Sequence, residues 1–504
     1  MLTSLIHTTQ RHWAVPLSFL ICAAFLYYAV GITPTYDDWY TLSSPNFDAQ
    51  WHKYFMPYGS VWRPIDALMG YVSQDASQFP LYNHIITVVA HLLSTLMVYA
   101  LARRLFASGA ACNFAALVFC VSPCMLATVF ACDAINQALS QMFGLAAVAA
   151  FVFMRSRWRY ALWAVLVWAA ALAKDNGIAW AVVPPVLALY TERTPMRTLC
   201  RRLAFGVAIA TAYAAVRLSL PYTVIPNPEY STFSLVKKLR EVAMLMAYSF
   251  VPVDWMSVFC VEARQIASLL ITIFCTFWLW AALLPGALRA LRSRNMWVLA
   301  ACFAIVLSPN LLITLSMMNA YAGLAFAALL MGLFMQEAQP SPKKLRDTMF
   351  CFVAAVLITD SNHIFEAQNT AEEGIIMAHK ANEECMGHKP GDTVFSVTVE
   401  ETERKYSSFH VLPSDAFSNG QAVLWINNYR WPRQIHEEYV PAGERAKAMK
   451  MAADAVGKGG YAYAFVVEHN RVQVLKSAER QAADTAGPDT VDALKAAVTE
   501  AVRR

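Results

Sequence analysis

Two carboxylates stand side by side in a polar stretch, residues 33–81, of an otherwise apolar chain. Asp37 and Asp38 follow a hydrophobic run within six residues, and adjacent carboxylates beside a membrane are costly to desolvate. One of them could serve as a general base that takes a proton from an acceptor hydroxyl. The alternative is a solvated acidic start of a loop, and the dipeptide alone does not decide between the two.

Two cations lie at comparable places, each next to a hydrophobic run. Arg63 is part of Trp62-Arg63-Pro64 in the same stretch, and its planar guanidinium could pair with phosphate oxygens. It could equally be an arginine that reaches from the apolar layer to the membrane interface. Lys174 precedes Asp175 in a predicted tight turn. This lysine could bind a lipid phosphate, or the two residues could form an ion pair of little energetic worth.

Further polar side chains mark the starts of hydrophobic runs. His84 and His91 are seven residues apart, so they share one helical face. A histidine within a membrane span is a functional candidate, although each could also simply hydrogen-bond a neighbouring helix. The spacing is too wide for the two rings to share a metal ion, and we expect no zinc site. The remaining candidates for a supporting role are Tyr82, Asp133, Asp175, Asn319 and Tyr321, with Asn136 and Gln137 on the same predicted side.

The elements that must position these residues are membrane helices. The 504 residues are 58% hydrophobic and 15% charged, with a mean hydropathy of +0.40, whereas soluble proteins carry roughly 25% charged residues. A spanning helix needs about 20 mostly apolar residues. The predicted spans number about eleven and cover residues 13–32, 82–102, 110–129, 136–154, 160–173, 177–191, 203–221, 265–286, 296–315, 319–336 and 347–361.

The charges orient these predicted spans. With the N-terminus in the cytoplasm, 16 of the 24 basic residues in 1–361 fall on the cytoplasmic side, together with 3 of the 15 acidic ones. This split follows the positive-inside rule. The first span is expected to be an uncleaved anchor, since no small-residue cleavage site follows it. Residues 224–264 are expected to form an outer loop with an amphipathic helix on the membrane surface.

The composition changes after residue 361. Residues 1–361 are about 11% charged and residues 362–504 about 25%, which predicts a transmembrane domain followed by a soluble extracytoplasmic domain. Strand-like runs occur at Thr393–Val399, Ala422–Ile426, Tyr461–Val467 and Arg471–Leu475, and helix-like stretches at Ala442–Val456 and Val491–Arg504. The predicted fold is therefore an all-α polytopic membrane protein with a small C-terminal α/β domain.

The order of the motifs resembles the GT-C membrane glycosyltransferases. The ordered series is Asp37-Asp38, Trp62-Arg63-Pro64, Tyr82-Asn83-His84, His91, Ala102-Arg103-Arg104-Leu105-Phe106 and Lys174-Asp175. It is most similar to the protein O-mannosyltransferase branch, which includes the transmembrane-and-tetratricopeptide mannosyltransferases. Phe250-Val251-Pro252 and Ser308-Pro309-Asn310-Leu311 also look like that branch. This chain departs from it with Asn319-Ala320-Tyr321 where an acidic-Arg-Tyr motif is usual, and with Lys-Asp in place of Lys-Glu.

The resemblance implies a reaction and a set of roles. Such enzymes transfer a sugar from a polyprenyl-phosphate donor on the outer membrane face, usually with inversion. Asp37 or Asp38 would be the base, Arg63 and Lys174 would hold the donor phosphate, and His84 would support the site. Transfer without a metal or other cofactor is expected, although some relatives use a divalent cation.

The expected protein is a hexosyl- or pentosyltransferase in a bacterial-type inner membrane, acting on an envelope glycan or a protein outside the cytoplasm. No nucleic-acid partner is expected. A transporter or flippase for lipid-linked glycans is one alternative; it should carry ionisable groups at mid-membrane and inverted repeats. A non-catalytic assembly protein is another, and it would be expected to lack the acidic pair.

The predicted orientation can be tested with a reporter. Alkaline phosphatase fused after residue 361 should be active, since this enzyme folds only outside the cytoplasm, and a fusion after Arg104 should be inactive. The opposite pattern would show that the spans are miscounted, and residues 224–264 would be the first segment to re-examine.

Overall fold

The structure is a computed structural model. It describes residues 12–32, 55–57, 62–72, 81–131, 134–192, 194–221, 234–259, 265–313, 317–384, 392–399, 423, 435–468 and 471–485. These residues form two compact units, the first extending to Glu366 and the second beginning at Ala367.

The first unit is helical. Its helices, in chain order, are α1 (Ala14–Ala29), α2 (Pro64–Val72), α3 (Leu81–Leu105), α4 (Gly109–Val121), α5 (Leu126–Val129), α6 (Ile135–Phe153), α7 (Trp158–Ala173), α8 (Val183–Thr191), α9 (Met196–Ser219), α10 (Leu235–Phe250), α11 (Trp255–Phe259), α12 (Ile266–Ala290), α13 (Arg294–Leu307), α14 (Met317–Ala338) and, up to Glu366, α15 (Pro342–Glu384). Short 3-10 segments occur at Pro123–Met125, Asp175–Ala181 and Ser308–Leu312.

In the described part of the chain, eight helical segments are long and apolar enough to cross a membrane. They are α3, α4 with α5, α6, α9, α12, α13 with the following 3-10 segment, α14 and α15. The multi-pass character is thus supported by length and composition, whereas the predicted number of about eleven is not confirmed. Predicted spans 13–32 and 160–173 correspond to α1 and α7, of 16 residues each. Predicted span 177–191 is divided between a 3-10 segment and the nine-residue helix α8.

Helix α14 lies at the centre of the first unit. Nearly all of its side chains from Met317 to Met335 are buried, and it packs against α4, α10, α12 and α13. Small residues permit this close packing, as is usual between membrane helices. A Cβ atom on Gly286 of α12 would lie 2.0 Å from the carbonyl oxygen of Phe334, so only glycine fits at this helix crossing.

A helix is present where the sequence predicts an amphipathic one. Helix α10 begins after Ser234, whose Oγ lies 3.5 Å from the backbone nitrogen of Lys237. Glu241, Leu245 and Tyr248 are buried, and one face packs against α14. Its location on a membrane surface remains a prediction.

The second unit contains a four-stranded sheet. Its strands are β1 (Val394–Val399), β2 (Ile435–Val440), β3 (Tyr463–Glu468) and β4 (Arg471–Lys476), in the spatial order β2-β1-β3-β4. Strand β1 is parallel to β2 and β3, and β4 is antiparallel to β3. Helix α16 (Arg445–Gly457) covers the sheet with Ala448, Ala452 and Val456, which join Val397 and Val466 in one core cluster.

Three of the predicted strands are confirmed as β1, β3 and β4, and the helix predicted at Ala442–Val456 is confirmed as α16. Strand β2 and the helix α17 (Ala478–Thr485) were not predicted. In β2, the polar residues His436, Glu437 and Glu438 break the apolar pattern of a strand. Residues 422–426, apart from Val423, and 491–504 lie outside the described residues. Helix α15 continues to Glu384, well beyond the predicted end of the last span at 361.

The packing at Gly286 predicts a specific loss of stability. Gly286→Ala should lower the stability of the folded chain by about 1–3 kcal/mol, because the added methyl group meets backbone atoms that cannot move away. Gly457→Ala is a matched control, since a Cβ atom there meets nothing within 4 Å. Thermal unfolding of the purified chain in detergent should show a lower melting temperature for the first variant only. Equal melting temperatures would contradict the close crossing of α12 and α14.

Candidate functional site

Helix α2 places Arg63 and Asp66 against the ends of three longer helices. The backbone nitrogen of Ala67 donates to the carbonyl of Arg63 at 2.9 Å, so the helical turn starts at this arginine. Ile65 and Met69 on the apolar face of α2 pack against a buried cluster formed by Ala90, Ile135, Ala138, Leu139 and Ala173. The polar residues of α2 therefore lie next to the first turn of α6 and the last turn of α7.

Asp66 is a half-buried carboxylate at this junction. Its Oδ2 accepts a hydrogen bond of 3.2 Å from Nδ2 of Asn136. Burial raises the pKa of the Asp66 carboxyl, and the charge of Arg63, the hydrogen bond from Asn136 and the charge of Lys174 counteract this rise. The charges of Arg63 and Lys174, both predicted from the sequence, thus lower the pKa of one carboxyl group. The sequence alone did not predict a role for Asp66. The available signal was its position three residues after Arg63, in the first turn of a helix.

The turn that carries Lys174 is fixed by its neighbour. Asp175 accepts two hydrogen bonds from Arg217 of α9, from Nε at 2.8 Å and from Nη2 at 3.1 Å. The hydroxyl of Tyr213 lies 2.9 Å from the same carboxylate, and Trp62 stacks on the Tyr213 ring with 5.6 Å between centroids. The ion pair of Asp175 is therefore with Arg217, and Nζ of Lys174 lies 3.6 Å from Sδ of Met318.

An amide group follows directly in the chain. Nδ2 of Asn176 lies 2.9 Å from Oδ1 of Asn310 and 3.5 Å from Oε1 of Gln137. Gly177 packs tightly against α7 and α6, since a Cβ atom there would lie 2.3 Å from the carbonyl oxygen of Ala170 and 2.6 Å from Oγ of Ser140. The segment Asp175–Ala181 is thus held against both helices.

The two histidines lie in the helical core. Nδ1 of His91 is 2.8 Å from the hydroxyl of Tyr321, and Nε2 is 3.0 Å from the carbonyl oxygen of Cys120. The His91 ring also stacks on Phe119. Nε2 of His84 lies 3.4 Å from the carbonyl oxygen of Ile32. These contacts fit the alternative that each histidine hydrogen-bonds neighbouring segments.

The structure brings together part of the predicted site. Asn136 donates to Asp66, and the charges of Arg63 and Lys174 both lower the pKa of this carboxyl. Asp175 fixes the adjoining turn. Asn319 is buried in the first turn of α14, whereas Tyr82 at the start of α3 is exposed. Asp37, Asp38 and Asp133 lie outside the described residues. Over the described ranges, no three His, Cys, Asp or Glu side chains are grouped as metal ligands.

Comparisons with known proteins give remote structural neighbours. No protein-family model matches the chain, and no curated protein matches its sequence. An oligosaccharyltransferase of Archaeoglobus fulgidus, crystallised with zinc and sulfate, is similar with a TM-score of 0.44 and 12% identity, over 88% of this chain and 67% of that one. The oligosaccharyltransferase AglB of the same archaeon, in complex with an inhibitory peptide and a dolichol-phosphate, is similar with a TM-score of 0.44 and 12% identity. This match covers 91% of this chain and 70% of that one. This similarity is too low to carry a functional argument.

Proposed function

We propose that the chain is a GT-C-type membrane glycosyltransferase that moves a sugar from a polyprenyl-phosphate donor to an acceptor outside the cytoplasm. The observation that carries this proposal is the position of two cations from distant parts of the sequence around the half-buried Asp66. Arg63 precedes it by one helical turn, and the charge of Lys174 also lowers the pKa of this carboxyl. Two cations held beside one carboxylate form a site suited to an anion. The order of the sequence motifs supplies the reaction class.

The chemistry of the donor fits these groups. A lipid phosphate that leaves from the sugar needs positive charge and no proton, and a guanidinium can pair with two of its oxygens. Nε of Arg63 is buried and has no hydrogen-bond partner among the described residues, so it retains a donor for the phosphate. Asp66 would balance the two cations when no donor is bound.

The acceptor hydroxyl needs a base, and Asp37 or Asp38 would supply it. This role rests on the motif resemblance, as does the expectation of an inverting, metal-independent transfer to an envelope glycan or a protein. Placement in an inner membrane with a cytoplasmic N-terminus rests on the distribution of charges. A hydroxyl attacking the anomeric carbon displaces the lipid phosphate in one step, so one base is sufficient.

Substitution of the two cations tests the donor site. Arg63→Ala and Lys174→Ala should each raise the apparent KM for a polyprenyl-phosphate sugar by about 10- to 100-fold, the effect of losing one charge-assisted hydrogen bond. Arg63→Lys should restore only part of the affinity, since it lacks the planar fork. The control is Arg104→Ala at the exposed end of α3. Transfer from a radiolabelled donor in proteoliposomes measures the effect, and unchanged donor affinity in both alanine variants would refute the phosphate site.

Substitution of the acidic pair tests the base. Asp37→Asn or Asp38→Asn should lower kcat by about 10²- to 10⁴-fold, the usual contribution of a general base, with little change in donor binding. Single-turnover transfer assays measure the rate, and a binding assay with the donor alone shows that the variant is folded. Full activity in both variants would exclude the proposed base.

A further inference from the structure

We propose that the buried amides of Gln137, Gln141 and Asn310, together with the half-buried amide of Asn176, form the subsite that binds the hydroxyl groups of the donor sugar. The inference rests on the proposed function and names residues that determine which sugar is accepted. These residues lie on α6 and on the two 3-10 segments Asp175–Ala181 and Ser308–Leu312.

The four amides belong to one face of α6 and the segments beside it. Asn176 links Asn310 and Gln137 through contacts of 2.9 Å and 3.5 Å. Gln141 follows Gln137 by one helical turn and so lies on the same face. Three residues further along, a Cβ atom on Gly144 would lie 2.2 Å from the Trp180 ring. This face of α6 is therefore directed toward the segment that carries Asn176.

Several of these amide atoms have hydrogen-bonding capacity that the described protein does not use. Gln141 is 1% exposed and Asn310 2%. Both Oε1 and Nε2 of Gln141, and Nδ2 of Asn310, are buried without a hydrogen-bond partner among the described residues. Burying such a group unpaired costs about 1–3 kcal/mol, and folded proteins seldom accept this cost. Amides kept at such a place fit a polar ligand.

The amides lie beside the proposed phosphate site, and this position indicates that their ligand is the donor sugar. Asn136, which donates to Asp66, precedes Gln137 in α6, and Lys174 stands two residues before Asn176. In a polyprenyl-phosphate sugar the phosphate is bonded directly to the anomeric carbon. A phosphate held by Arg63 and Lys174 would therefore bring the sugar ring next to the amides.

The chemistry of the amides fits an uncharged sugar. An amide offers both a donor and an acceptor, as does each sugar hydroxyl. A site built to hydrogen-bond a hydroxyl rejects analogues that lack it, because its own buried groups then stay unpaired. We therefore expect these residues to govern the preference for the sugar and to leave binding of the lipid phosphate unchanged.

The experiment uses the full chain in nanodiscs and two kinds of probe. Geranylgeranyl phosphate carries no sugar, and a panel of geranylgeranyl-phosphate-linked neutral hexoses and pentoses supplies the sugar. The quantity measured is a ratio: the dissociation constant of the sugar-linked probe that binds best, divided by the dissociation constant of geranylgeranyl phosphate. In Gln141→Met, which keeps the length of the side chain, sugar binding should weaken about tenfold while binding of the sugar-free phosphate is unchanged.

A second readout separates ligand binding from a structural role. Because Gln141 is unpaired in the described protein, Gln141→Met should leave the melting temperature without ligand unchanged or raise it. Gln336→Met is the control, since Oε1 of Gln336 accepts hydrogen bonds from the backbone nitrogens of Ala107 and Ser108 at 2.8 Å and 3.3 Å. This control should lower the melting temperature and leave the ratio of dissociation constants unchanged.

Two results would overturn the inference. An unchanged ratio in Gln141→Met, while Arg63→Ala still weakens both probes, would remove the sugar subsite and leave the proposed function standing. Failure of the wild-type chain to bind either probe would remove the phosphate site, and the sugar subsite with it.

Discussion

A carboxylate that is partly buried at the edge of a membrane domain must be stabilised by cations or hydrogen-bond donors, because its charge loses water there. Asp66 imposes this requirement on the candidate site. Its hydrogen bond comes from α6, one cation from the residues before α2, and the other from the turn after α7. Three segments distant in sequence are thereby held at one place, and a site that needs positive charge can form between them.

Asp175, next to Lys174, is also a carboxylate, but it has a different role. Arg217 and Tyr213 occupy its carboxylate, so it fixes the backbone of the turn and does not pair with Lys174. Had the two neighbours formed an ion pair, the lysine charge would have been balanced locally and would contribute less to an anion site. The carboxylate of Asp175 thus pairs with Arg217 of α9, while the charge of Lys174 lowers the pKa of Asp66.

The sequence predicted the cations Arg63 and Lys174 but missed Asp66 and Arg217, for a physical reason. Arg63 and Lys174 stand out because a charge beside a hydrophobic run is unusual, whereas Asp66 looks like an ordinary acidic residue in a first helical turn. Arg217 becomes informative only when α9 packs against the turn. The segment after Lys174 was predicted as a span from its hydrophobicity, but Gly177 and the Pro184-Pro185 pair favour a tight turn and a new helix start. For strand β2, backbone pairing to β1 outweighed a charged sequence.

In the proposed site, the cations would supply affinity for the donor phosphate, and the amides would supply selectivity for the sugar. Attraction between a cation and a phosphate is strong, but it is the same for every sugar attached to that phosphate, whereas each amide bond is weak and depends on where a hydroxyl lies. A single turn would contribute Lys174 to the phosphate site and Asn176 to the sugar subsite. A displacement of this turn would therefore change both phosphate binding and sugar preference, and the contacts of Asp175 with Arg217 and Tyr213 oppose such a displacement.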